Sequence, residues 1–100
     1  MNPMQQMLAQ AQRMQRELKK ANEELDKKEF TASKSGMVTV TMTGNNKVAK
    51  IEIDKDAIDP ENAEMLSETI ALAINECLEQ IAAERDAIEE RITGKANLPF

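Results

Sequence analysis

Arg13, Arg16, Lys19, Lys20 and Lys27 are the side chains whose type and spacing could do binding chemistry. They interleave with Met4, Met7, Ala11, Met14, Leu18, Ala21 and Leu25, which recur at alternating steps of three and four, an a/d heptad seam. In that register Arg13, Lys20 and Lys27 take c, Arg16 takes f and Lys19 takes b. All point away from the seam. Arg13 with Glu17, Lys19 with Glu23 and Lys20 with Glu24 form i,i+4 pairs that would support a solvated helix. Arg16 has no such partner, because its neighbours at three and four positions are Gln12, Arg13, Lys19 and Lys20. A cluster that costs helix stability points to an anionic partner, and phosphate suits Arg best. The rival reading is a solvated face or salt bridges to an acidic partner helix.

Other chemistries find little support. The chain has no His, so Ser-His-Asp, Cys-His and most zinc sites are excluded. Asp54, Asp56 and Asp59 open like a calcium loop, but the sixth position is Asp59 instead of Gly and the twelfth Met65 instead of Glu. They read as an acidic loop and a helix cap. Cys77 lies on an apolar stripe, where a thiol behaves as a small hydrophobe. Met4, Met7 and Met14 could form an adaptable groove, but their a and d positions favour a packed seam. Gly36, Gly44 and Gly94 are explained by turns and a helix stop, so no phosphate-cradling loop precedes a helix. Glu61, Glu64 and Glu68 form a solvated face. No enzyme, cofactor, metal or small-molecule substrate is expected.

The elements that carry these residues follow from the pattern. Asn2-Pro3 is an N-cap and first helical position, predicting a helix over 3–28, about 38 Å long. Phe30–Ser33, Met37–Thr43 and Lys47–Ile53 alternate between turn residues as an antiparallel meander. Its apolar face would hold Phe30, Ala32, Val38, Val40, Met42, Ala49, Ile51 and Ile53. Asp59-Pro60-Glu61 repeats the cap logic and predicts a second helix over 60–92 with a stripe of Met65, Leu66, Ile70, Ala73, Ile74, Cys77, Leu78, Ile81, Ile88 and Ile92. Residues 95–100 read as a tail. Chain direction requires this helix to cross back over the sheet. Its first dozen residues should cover the apolar face, and the stretch from about Ala73 to Ile92 should run beside helix one as a projecting arm. The fold class is α+β: long helix, three-stranded antiparallel meander, long helix, in one domain over 1–100.

Composition bounds the rest. With two Phe, no Trp and no Tyr among 100 residues, the core rests on aliphatic side chains, the monomer is marginal, and oligomerisation is expected. Residues 1–53 carry nine Lys/Arg against six Asp/Glu, whereas 54–100 carry four against twelve, so the halves are +3 and -8. One Cys, no signal-like segment and no span-length apolar run make a cytoplasmic protein the expectation, with no membrane partner.

Met4 to Met14 (MQQMLAQAQRM) with Gln15-Arg16-Glu17-Leu18, then Gly36-Met37-Val38-Thr39-Val40, the Thr43-Gly44 turn, Val48 to Asp54 (VAKIEID) and the acidic cap before Met65-Leu66 resemble the YbaB/EbfC family of bacterial nucleoid-associated proteins. The order and spacing of these stretches over about 90 residues are more specific than any one of them. The resemblance implies a homodimer with helical arms, likened to tweezers, that binds double-stranded DNA, alters its conformation and resides in the nucleoid. It implies no catalytic activity. Arg13, Arg16, Lys19 and Lys20, with Lys27 and Lys28 behind them, are the DNA-binding positions it suggests. The -8 half would repel DNA, so binding must present helix one. A protein-binding adaptor whose arms dock a partner protein is the alternative.

Overall fold

The computed structural model describes residues 2–94; Met1 and the tail expected at 95–100 lie outside them. Asn2 caps the first helix, α1 (Pro3–Lys27), its side chain accepting from the Gln5 N–H at 2.8 Å. Three antiparallel strands follow in the order β1 (Glu29–Lys34), β2 (Val38–Thr43) and β3 (Lys47–Ile53). The β1–β2 turn holds Ser35 and Gly36 at positive φ (57° and 64°), and the three-residue β2–β3 loop ends on Asn46 at 65°. Two 3-10 turns, Lys55–Ala57 and Pro60–Asn62, lead into α2 (Ala63–Ile92). The architecture is the α+β arrangement that the sequence predicts.

Three local expectations are corrected. Met37 belongs to the turn, donating its N–H to the Lys34 carbonyl at 3.0 Å, and β2 begins one residue later. Asp59 caps a 3-10 turn by accepting from the Glu61 N–H, and the α-helical run starts at Ala63, not Pro60. Ala49 does not continue the apolar face. A bulge pairs Thr41 with Lys50 but Met42 with Val48, leaving Ala49 as the extra residue and moving Val48 to the face of Ile51 and Ile53.

The core forms where α2 crosses β1 and β2. Phe30, Ala32, Val38, Val40 and Met42 meet Ala73, Cys77 and Ile81, and Leu25 of α1 closes one end. Thr69 is the first buried residue of α2, so the covering segment runs from about Thr69 to Ile81, roughly 18 Å at 1.5 Å per residue. That matches the length of a strand of six or seven residues. The two 3-10 turns delay the helix, and Ala73 and Cys77 therefore sit over the sheet instead of in the arm. The arm starts near Glu84.

Cys77 is fully buried, with its Sγ 3.6 Å from the Val40 carbonyl and 3.7 Å from that of Phe30. Burial, and secondarily the charge of Glu76, raise its pKa above the ordinary 9.0. Below that value the folded and unfolded chains both keep the thiol proton, so Cys77 adds no pH dependence. Above it the unfolded chain releases the proton first and stability falls as pH rises. Denaturant titrations at stepped alkaline pH should show this decline, and Cys77→Ala should remove it.

Candidate nucleic-acid interface

The arm is built by an antiparallel pairing whose register can be read from its polar contacts. Lys28 Nζ meets Glu84 at 2.6 Å, and Arg85 donates to Asn22 Oδ1 at 2.9 Å and to Asp26 Oδ1 at 3.1 Å. From Glu84, eight residues of α2 remain, so its last turn lies opposite about residue 18 of α1. The stretch from Pro3 to about Gln15 therefore runs roughly 20 Å beyond α2. A longest extent of 70 Å fits that overhang, as does a radius of gyration of 19.8 Å. A compact 100-residue domain would have a radius of gyration of about 13 Å.

This register corrects the expected seam. Leu25 is buried and Met14, Leu18 and Ala21 are half-buried, but Met4 and Met7 are exposed, as is Leu8. The heptad pattern continues to the start of α1, whereas the partner helix does not.

On the outer face of α1, Arg13, Arg16, Lys19, Lys20 and Lys27 are exposed, and none makes an ion pair or side-chain hydrogen bond among the described residues. The three i,i+4 pairs expected from the sequence do not form. Lys28 differs, since it is tied to Glu84 and lies 5.4 Å from the Phe30 ring centroid. Of the six basic positions singled out, the helix gathers four, Arg13, Arg16, Lys19 and Lys20, within two turns. Lys27 stands two turns away and Lys28 belongs to the arm's base. Residues 2–16 contain Arg13 and Arg16 and no Asp or Glu, so the overhang carries positive charge alone.

Arg85 is the positioning residue that the pattern did not reveal. Its guanidinium bridges α2 to Asn22 and Asp26 of α1 and to the Gly44 carbonyl of the β2–β3 loop at 2.9 Å. One planar fork thus fixes the arm's angle to the sheet. Its only sequence signal is a cation inside an otherwise acidic stretch.

Among the described residues no group of His, Cys, Asp or Glu could hold a metal ion, and no helix is long and apolar enough to cross a membrane. Asp54 and Asp59 act as local caps, accepting from the N–H groups of Asp56 and Glu61. The surface with unspent chemistry is the basic face of α1.

The sequence profile of the YbaB/EbfC DNA-binding family matches residues 1–96. The chain belongs to the YbaB/EbfC DNA-binding family. A nucleoid-associated protein of Mycoplasmopsis pulmonis is 42% identical over 95 residues, covering 94% of this chain and 92% of the relative. One from Malacoplasma penetrans is 38% identical over 97 residues, covering 97% and 98%. One from Enterococcus faecalis is 39% identical over 88 residues, covering 87% and 85%. The family is one of DNA binding and not of catalysis, and these relatives carry the name nucleoid-associated protein.

Proposed function

We propose that this protein binds double-stranded DNA as a homodimer, mainly through backbone phosphates, and alters its conformation as a cytoplasmic, nucleoid-associated protein with roles in nucleoid organisation and gene regulation. The observation that carries the reading is the unpaired cluster of Arg13, Arg16, Lys19 and Lys20 on the arm's outer face. Side chains not engaged by a carboxylate are available to phosphate oxygens, and Arg is suited to take two at once. The overhang also answers the acidity of α2, because it carries Arg13 and Arg16 past the end of that helix. Phosphate contact without base readout gives sequence-tolerant binding with a strong salt dependence. Titration of a labelled duplex at several salt concentrations tests this. Affinity should fall steeply with salt and vary little with sequence. Absence of binding at low salt would leave the arms as docking surfaces for a partner protein.

The dimer reading rests on the sheet. Val48 and Ile51 lie on the same face as Met42 and Val40, yet α2 does not cover β3, and they remain 44% and 42% exposed. Glu76 and Gln80 of α2 contact β1, so Ile70, Ile74 and Leu78 occupy the opposite flank, half-buried and turned toward β3. The outer edge of β3 has no Pro to block pairing. The chain exposes 7435 Å², against about 5,700 Å² for an average folded monomer of this mass. A second copy seated on this strip would bury both the apolar flank and the free strand edge. Sedimentation equilibrium should give twice the 11.2 kDa chain mass at micromolar concentration. Ile51→Asp should weaken association by at least about a hundredfold, since it would bury an unpaired carboxylate in the interface. A parent protein that stays at 11.2 kDa across the concentration range would remove the two-armed geometry.

A further inference from the structure

We propose that the overhanging tip of α1 is an apolar wedge for duplex DNA, with Met4 and Leu8 entering between base steps and Met7 beside them, so that the arm bends the duplex it holds. The inference rests on the DNA-binding reading of the same arm and adds what the tip does there. Met4, Met7 and Leu8 share one face at i, i+3 and i+4 and are 78%, 70% and 60% exposed, among the most exposed large apolar side chains of the described residues. The Asn2 cap keeps this stretch helical to its end, so the three side chains stand on a formed helix.

What could cover them is restricted by their surroundings. The remaining long side chains of the overhang are five Gln, the half-buried Met14, and Arg13 and Arg16, with no acid. The occupant must therefore offer an apolar surface to Met4, Met7 and Leu8 and negative charge to Arg13 and Arg16, which stand about one to three turns further along α1 and round its side. A base step flanked by phosphates does this. Proteins that kink DNA insert Met, Leu or Pro wedges between bases while Arg, Lys, Asn and Gln hold the groove. The i,i+4 ridge of α1 has that order: Met4, Leu8, Gln12, Arg16, Lys20. It runs about 24 Å from an apolar end to a basic pair and winds about 160° round the helix on the way, so its two ends meet different parts of a duplex laid along the arm.

The test compares the parent with a variant carrying Met4→Gln, Met7→Gln and Leu8→Gln, which keeps charge and helix propensity. Duplex bending is read by end-to-end energy transfer and unstacking by 2-aminopurine fluorescence, beside salt-titrated binding and thermal melting. The parent should bend the duplex by about 20–90° per wedge and raise the 2-aminopurine signal. The variant should keep the parent's salt slope and melting temperature and lose at least half of the bend. A parent that binds without bending, or a variant that bends as strongly, overturns the wedge and leaves the DNA-binding reading standing. A parent that shows no salt-dependent binding overturns both. If the variant melts earlier, or changes its association state without DNA, the tip is a packing surface within or between chains and the wedge is wrong.

Discussion

Replacing Arg13, Arg16, Lys19 and Lys20 together by Gln is expected to abolish most of the salt dependence of DNA binding. Each phosphate contact releases condensed counterions, worth about 0.9 in the slope of log affinity against log salt. A two-fold symmetric dimer loses each charge twice, so the quadruple variant should flatten the slope by roughly 3.6 to 7 units, depending on whether one arm or both touch the duplex. Affinity at low salt should drop by at least about a thousandfold. Arg16→Gln alone should remove about 0.9 to 1.8 units and weaken all sequences alike. Thermal stability should hold, because these side chains make no ion pair or side-chain hydrogen bond among the described residues. Lys55→Gln is the control. Lys55 follows the far end of β3, about 20 Å along the strand from the arm's base. If Lys55→Gln flattens the slope as much as Arg16→Gln does, the interface lies on the sheet and not on the arm.

Much of the scaffold beneath this surface was legible because local chemistry and global position agree. Asn2-Pro3 ahead of an apolar-periodic run is a cap and first helical position, and the Ser35-Gly36 and Asn45-Asn46 turns tolerate the positive φ that their hairpins need. The errors share a cause. Ala49, Ile51 and Ile53 alternate as a strand face should, but a bulge shifts the parity after Met42, and one residue more or less in a ladder leaves no mark on composition. Met4 and Met7 sit in the seam's register, yet whether a seam is filled depends on where the partner helix ends. The two 3-10 turns set that point. The basic cluster was legible as residue types, whereas its freedom from salt bridges is a matter of geometry, and Arg85, which sets the arm, looked like one more surface charge.

Gly44→Ala should be the most destabilising single-methyl change in the described chain, although Gly44 is not the glycine with a positive φ. A Cβ on Gly44 would stand 1.8 Å from the Leu25 carbonyl oxygen and 2.6 Å from the Leu25 carbonyl carbon, both backbone atoms that no rotamer change can move. The loop and the end of α1 are tied at this place from both sides. The Gly44 N–H donates to the Lys28 carbonyl at 2.9 Å, and its own carbonyl accepts from Arg85 at 2.9 Å. Relief of the clash must separate α1 from the sheet and break those bonds together. The expected loss is roughly 3 kcal/mol or more, lowering the melting temperature by about 12 °C or more for a domain of this size. Gly36→Ala is the comparison. Its φ of 64° strains any L side chain, but nothing lies within 4 Å of the added methyl, so the cost should stay near about 1 kcal/mol. Equal melting temperatures for the two variants would mean that the close approach of Gly44 to Leu25 does not hold the arm, and that some other contact sets its angle.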